Sequence, residues 1–592
     1  MRVDFHRTRM LGHVSALALF AALLPAAAIA QDAAPSDNLS INIVRALVAQ
    51  RVLTQKQADA IIAQAQADTA RARAAEPRPQ TAAVPAAETP VAPGVVRVPY
   101  VPESVRADIA KKVKEDVLAE EEARGYAKPE AVPSWTKRIR IFGDFRFRDE
   151  ERLFDKGNAY TFVNIPAINA GSSPVDQNSG PFPVLNSTQD RNLLKFRARL
   201  GIAADINDNF RTVISLASGN DNGPVSTNQT LGNDFGKKNI WLDRAYVRWT
   251  PWTGGGLSMT FGRMDNPFRS TEIVWKQDDL ALDGISASYA SKVAADLSFS
   301  ATAGAFPVQY TPDDYPTNAP SNLKAGNGDD KWLFAGQVGL DYNPSPSWTI
   351  SGNAAIYWFE NAEGTPSPCV YTDAFCFTDF TKPGFAQKGN TYIPLNPDIT
   401  NPTTGAMPEY YGLASQFHVL DLIGRADYAV SDRLHLTFTG DYANNLGYDR
   451  GAILAEAGGV GGLANNNETC VLPPGTSLAP GQSCVAGGGT NVFKSGSTAW
   501  LARFQVGAPV MRNRWDWNVN FAYAYIEPDA VVDAFNDSDF RLGGTNSKGW
   551  ILGANLGVAQ DSWLAAKWLS ADAVYGPPFS VDVFQLDLNT RF

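Results

Sequence analysis

The chain runs to 592 residues, well past the few hundred at which a single soluble core stops growing, so it is either multi-domain or not conventionally globular. Only 19% of it is charged and 11% is aromatic, against about 25% charged in ordinary soluble domains. A net charge of −10 argues against nucleic acid as a partner. Of four histidines, only His418 and His435 lie beyond the first residues, which argues against a metal centre or a histidine relay.

Residues 1–30 combine a basic start (Arg2, Arg7, Arg9), an apolar stretch from Ala16 to Leu24 and the small-residue end Ala28-Ile-Ala30. That is the plan of a secretory signal peptide, so the chain is expected to be exported. The helical repeats Ile41, Val44, Leu47, Val48 and then Ala58, Ile61, Ile62, with a capping box at Thr54–Gln57, predict a periplasmic helical hairpin over 31–75. Residues 76–101 read as an Ala/Pro-rich linker. Val105, Ile109, Val113 and Val117 then predict a helix within 102–137, a short coiled coil or surface helix, with cell-wall contact as an alternative role.

From Arg138 the apolar period changes to two. Ile139, Ile141, Phe145 and Phe147 alternate with Arg138, Arg140, Asp144, Arg146 and Arg148, and similar runs recur to the C-terminus. About sixteen such segments are expected, near 138–150, 192–206, 209–218, 240–250, 257–265, 279–290, 294–306, 331–343, 347–359, 415–429, 433–445, 498–508, 514–526, 549–559, 562–574 and 581–592. Each is close to the roughly 9–11 residues of a tilted transmembrane strand. Long and short connections alternate, and Trp241, Trp249, Trp252, Trp332, Tyr342, Trp348, Trp550 and Trp563 gather at segment ends as interfacial girdles would. The fold class expected is an all-β transmembrane barrel over 138–592, in the outer membrane of a Gram-negative bacterium. Cys369 with Cys376, and Cys470 with Cys484, sit in polar Pro/Gly-rich stretches and suit two local disulfides of an oxidising compartment.

The last strand places Phe584, Leu586, Leu588 and Phe592 on one face. It is similar to the signal by which the barrel-assembly machinery recognises its clients. The whole mature chain resembles the putative porin family of proteobacterial outer membranes. The likeness is carried by LVAQRVLTQKQADAIIAQAQ, VRVPYVPESVRADIAKKV, AVPSWTKRIRIFGDFRFRDEERL and FGRMDNPFRSTEIVWKQDDLALDGI. The resemblance implies a water-filled channel for small polar solutes, set in outer-membrane lipid, and a homotrimer is common among porins of this size.

Charge on the lipid face is costly, so the polar parity must face the lumen. This predicts a basic wall of Arg138, Arg140, Arg146, Arg148, Lys195, Arg197, Arg199, Arg211, Arg244 and Arg248. Asp421, Asp427 and Asp441 would form a more acidic wall across from it. The connection between the fifth and sixth strands offers Asp265, Arg269, Glu272, Lys276, Asp278 and Asp279 as a constriction that would stand against the basic wall. The function expected is passive diffusion of small hydrophilic solutes with an anion lean. Alternatives are a channel specific for phosphate or another anion, and then a structural or adhesin barrel. Neither histidine has an evident serine partner, so no enzyme is expected. No cofactor or metal motif is present, since the runs Gly458–Gly462 and Gly487–Gly489 lie inside expected loops.

Overall fold

The computed structural model describes residues 136–171, 175–176, 183–221, 223–252, 254–276, 279–313, 329–367, 378–395, 408–459, 463, 468–477 and 487–592. The expected signal peptide, the hairpin expected over 31–75, the linker expected over 76–101 and nearly all of 102–137 lie outside the described residues, as do Cys369, Cys376, Cys484 and Asp278. Cys470 is disulfide-bonded.

Sixteen strands form one closed antiparallel sheet: β1 (Ile139–Phe154), β2 (Arg191–Asp205), β3 (Phe210–Ser218), β4 (Ile240–Trp249), β5 (Leu257–Asp265), β6 (Ala281–Lys292), β7 (Leu297–Gln309), β8 (Lys331–Ser345), β9 (Trp348–Glu360), β10 (Phe417–Ser431), β11 (Leu434–Asn445), β12 (Thr498–Gly507), β13 (Trp517–Ile526), β14 (Ser547–Ala559), β15 (Ser562–Ala573) and β16 (Ser580–Arg591). A two-residue ribbon, Gln229–Thr230, pairs with β2 at Lys195 and Phe196. Every neighbour in the barrel is also a neighbour in sequence, except at the seam, where β16 pairs with β1 from Asp144↔Arg591 to Phe154↔Val581. Closure leaves no unpaired edge, the condition a sheet must meet in hydrocarbon. Among the described residues no helix is long and apolar enough to cross a membrane.

Alternation decides which face looks out. In β1, Ile141 and Phe145 are exposed while Arg148 and Glu150 are buried, and in β16, Phe584, Leu586 and Leu588 are exposed while Gln585, Asp587 and Asn589 are buried. An exposed apolar face over a buried polar one inverts the arrangement of a soluble protein and suits a lipid solvent. At the seam, Phe592 exchanges backbone hydrogen bonds with Gly143 at 3.1 and 3.0 Å. A side chain at Gly143 would place its Cβ 2.7 Å from the Phe592 ring, so this crossing needs glycine.

Connections at one end are short (206–209, 293–296, 346–347, 432–433, 560–561), and those at the other include loops 155–190, 361–416 and 446–497. Two connections of the long-loop end turn into the barrel: the third, 266–280, and the seventh, 527–546. Phe268, Ile273, Trp275, Val531, Val532, Phe535 and Phe540 from these loops join Tyr357 and Phe359 of β9 in one apolar cluster on the inner side of the wall. Burying a large apolar side chain is worth about 1.5–3 kcal/mol, enough to draw such loops inward.

Candidate functional site

The basic residues of β1–β4 occupy one parity. Arg140, Arg146 and Arg148 of β1, Lys195, Arg197 and Arg199 of β2, Arg211 of β3, and Arg244 and Arg248 of β4 share the inner face. Arg138 precedes β1 and donates to the Ile206 carbonyl at 3.2 Å.

Carboxylates are interleaved with these cations on the same strands and their neighbours. Arg148 forks onto Asp587 of β16 at 2.7 and 2.9 Å. Lys195 donates to Glu150 at 2.7 Å. Asp144 accepts from Arg197 at 2.8 Å and from Arg199 at 2.6 Å. Arg244 lies between Asp265 at 2.6 Å and Asp243 at 2.7 Å, and Arg211 faces Asp205 at 2.8 Å. The wall is therefore a mosaic of pairs and not an unopposed basic field, because the register sets Asp144, Glu150 and Asp587 beside the arginines. Among the described residues, Arg140 and Arg248, both exposed and near the short-turn end, have no carboxylate within 4.0 Å.

The third loop runs from β5 to anchors far around the barrel. The Arg269 amide donates to Gln337 at 2.8 Å and its guanidinium forks onto Asp341, both of β8, at 2.6 and 2.8 Å. Trp275 sets its ring edge-on to Tyr357 of β9, centroids 5.1 Å apart. Thr271 donates to Asp441 of β11, and Arg503 of β12 pairs with Glu272. Lys276 donates to Asp537 at 2.5 Å and to Asp539 at 3.4 Å, both in the seventh loop. Asp265 and Asp279 do meet the basic wall, Asp279 lying 3.5 Å from Arg197. Arg269, Glu272 and Lys276 reach other strands and another loop instead, a correction to the expectation that all would stand against that wall.

Charge in the loops is strongly perturbed. Burial alone would depress the Lys276 ammonium, but Asp537 and Asp539 outweigh it and raise its pKa. Burial likewise opposes ionisation of Asp539, yet Lys276 and Arg148 hold it well below the usual carboxylate range. Among the described residues no cation lies within 4.0 Å of Asp529 or Asp533. Burial raises both, Asp533 to about 6, against the hydrogen bonds it accepts from Tyr392 and two backbone amides.

Asp421 and Asp441 do not front open lumen. They are buried beneath the third loop at 1% and 4% exposure. Asp427 lies toward the short-turn end and binds His435 Nδ1 at 2.7 Å. His418 stacks on Trp358 on the outer face. Phe584, Leu586, Leu588 and Phe592 all face outward.

Sequence reasoning missed the seventh loop. Its signal was the stretch Asp529–Phe540, where Val531, Val532, Phe535 and Phe540 are too apolar for a loop left in water. The fifth loop contributes as well. Asn390 Nδ2 donates to the Pro528 and Val531 carbonyls at 2.6 and 2.8 Å, and Thr391 donates to Asp529 through its amide at 2.8 Å and its hydroxyl at 2.6 Å.

No curated protein matches the chain. Similar solved structures include OprB of Pseudomonas putida, at 10% identity over 77% of this chain and 95% of that one with a TM-score of 0.39. The outer-membrane channel DcaP of Acinetobacter baumannii is 9% identical over 77% and 97%, with a TM-score of 0.35. OmpT of Vibrio cholerae, in a trimer form, is 8% identical over 77% and 99%, with a TM-score of 0.32. Residues 37–592 match the model of the family described as "Putative porin". With a closed sixteen-stranded barrel, an apolar outer face and a polar inner one, the chain belongs to that porin family and is a channel protein of the Gram-negative outer membrane.

Proposed function

We propose that the barrel is a passive diffusion channel for small hydrophilic solutes, with its narrowest section set by the third and seventh loops. The observation that carries this reading is the anchoring of the third loop on β8, β9, β11, β12 and the seventh loop. A loop held at five places across the lumen limits the size of what passes, while the charged inner face keeps the path wet. Paired charges present alternating local dipoles more than a net field, which favours polar solutes over apolar ones. Arg140 and Arg248 give the short-turn mouth a mild preference for anions.

Single-channel conductance of refolded protein in a planar bilayer, with the reversal potential under a KCl gradient, tests the reading. Stable open steps with a small anion-leaning reversal potential are expected. Repeated insertion of folded barrel without conductance would overturn it. That outcome would favour a second reading, a barrel kept shut by its loops, for which the apolar cluster around Trp275 and Tyr357 speaks.

A further inference from the structure

The fifth and seventh loops bring two cations, Lys388 and Arg541, to the wall of a cavity of about 30 Å³. Most of the remaining lining is apolar and includes Phe162, Ile165, Leu185 and Phe579. Both cations approach the same Phe579 ring, Lys388 Nζ at 5.8 Å and Arg541 Cζ at 5.3 Å from its centroid. Lys388 donates to the carbonyls of Leu542 at 2.7 Å and Gly543 at 2.8 Å, leaving one ammonium proton over. Arg541 donates through Nη2 to the Thr545 carbonyl at 2.6 Å, and among the described residues its buried Nε has no acceptor. Among the described residues no carboxylate lies within 4.0 Å of either cation, and Asp533 and Asp572 act on them only from farther away.

Two like charges held against mostly apolar walls, Arg541 buried and Lys388 half-buried, are costly unless something compensates them. Burial, with Arg541 and Arg152 nearby, pushes the Lys388 ammonium well below the usual lysine range, and burial lowers Arg541 to about 10. Lysine can shed its proton to escape the cost. A guanidinium does not deprotonate in proteins, so at least one positive charge stays in the cavity whatever Lys388 does.

We propose that this cavity is a binding site for a monovalent inorganic anion, chloride in ordinary media, held between Lys388 Nζ and Arg541 Nε. About 10–15 Å³ accommodates one water, so the cavity has room for a monoatomic anion with at most one water. The anion takes up the spare ammonium proton and the orphaned Nε–H, cancels one of the two charges, and rests its remaining surface on the aromatic and aliphatic lining. Because Lys388 belongs to the fifth loop and Arg541 to the seventh, occupancy fastens these two loops to each other. The site stands whether or not the barrel conducts.

The test uses the full mature protein crystallised from sodium bromide. An anomalous peak touching both Lys388 Nζ and Arg541 Nε is expected, and it is lost in Arg541→Gln. In solution, limited proteolysis of the long loops is compared in chloride and gluconate at equal ionic strength. At ten times the dissociation constant, chloride slows cleavage about tenfold if it binds only the closed loops. Lys388→Gln abolishes that difference and serves where Arg541→Gln does not fold. A cavity that stays empty or holds only water in bromide crystals with ordered loops overturns the proposal. So does a peak that persists unchanged in Arg541→Gln.

Discussion

Lys276 Nζ lies 2.5 Å from Asp537, joining two inward loops that are 261 residues apart in the chain. Breaking a buried ion pair by removing one partner typically costs about 3–5 kcal/mol, since the other charge is left uncompensated. Lys276→Met is therefore expected to release the third loop from the seventh, raising single-channel conductance and adding open-channel noise. The raised pKa of Lys276 keeps its contribution in full below the free-lysine pKa, to be lost only as pH rises through a still higher value. The depressed pKa of Asp539 keeps its contribution above the free-aspartate value, to be lost as pH falls through a lower one. Wild-type conductance should accordingly be flat between about pH 4 and 10 as far as this clamp decides it. A marked step in that range that persists in Asp533→Asn would count against the clamp.

Asp533 behaves oppositely. Its folded pKa is raised from 3.8 to about 6, equivalent to roughly 3 kcal/mol at 1.36 kcal/mol per unit. Between those values the opened loop ionises first, so the packed loop loses stability as pH rises, and above about 6 the penalty is constant. Hydrogen exchange across 527–546 should show wild type less protected at pH 7.5 than at pH 5, relative to Asp533→Asn. Asp529 titrates nearby in both proteins, and carrying Lys388→Gln in both removes the group that Asp533 itself perturbs, so the difference between them isolates Asp533.

Selectivity is expected to follow unpaired charge. Neutralising Arg140 and Arg248 together should move the reversal potential toward cations. Replacing the pair Arg148 and Asp587 by Met and Asn, which removes one charge of each sign, should leave it nearly unchanged. A larger shift from the second variant than from the first would refute the mosaic description of the wall.

Gly143→Leu tests the seam. The added side chain meets the Phe592 ring and the Arg199 carbonyl, and overpacking of this kind costs about 1–3 kcal/mol. A smaller fraction of refolded, heat-modifiable barrel on an unboiled gel is the expected result, and Gly336→Leu, where a Cβ meets nothing within 4 Å, serves as the tolerant control.

The barrel was legible because lipid outside and water inside impose a strict period of two. The expected boundaries 257–265 coincide with β5, and 138–150 differs from β1 chiefly at its far end. Parity alone also assigned Arg146, Arg148 and Arg197 to the lumen. It could not show that Asp587, 439 residues from Arg148, would neutralise that wall, because partnership across strands depends on register and closure. The loops were harder still. Nothing local in Arg269 or Glu272 specifies Asp341 or Arg503 as partner, and the apolar residues of 527–546 carry no periodic signal. The third loop is short for a constriction, yet 266–280 reaches β12 because Trp275 gains more from Tyr357 and Phe535 than from solvent.

The seam between β1 and β16 sets the timing of biogenesis. β1 is the first strand of the barrel to be made, but β16, its partner in register from Asp144 with Arg591, is the last of the sixteen. Until then its N–H and C=O groups on that side remain open to any passing strand, a hazard for aggregation. The Arg148–Asp587 fork and the Phe592–Gly143 lock can form only once β16 has been delivered. Loss of even the few residues from Asn589 to Phe592 would thus do more than shorten one strand. It would deprive the newborn cylinder of its fastener and leave a sticky sheet where a sealed vessel should be.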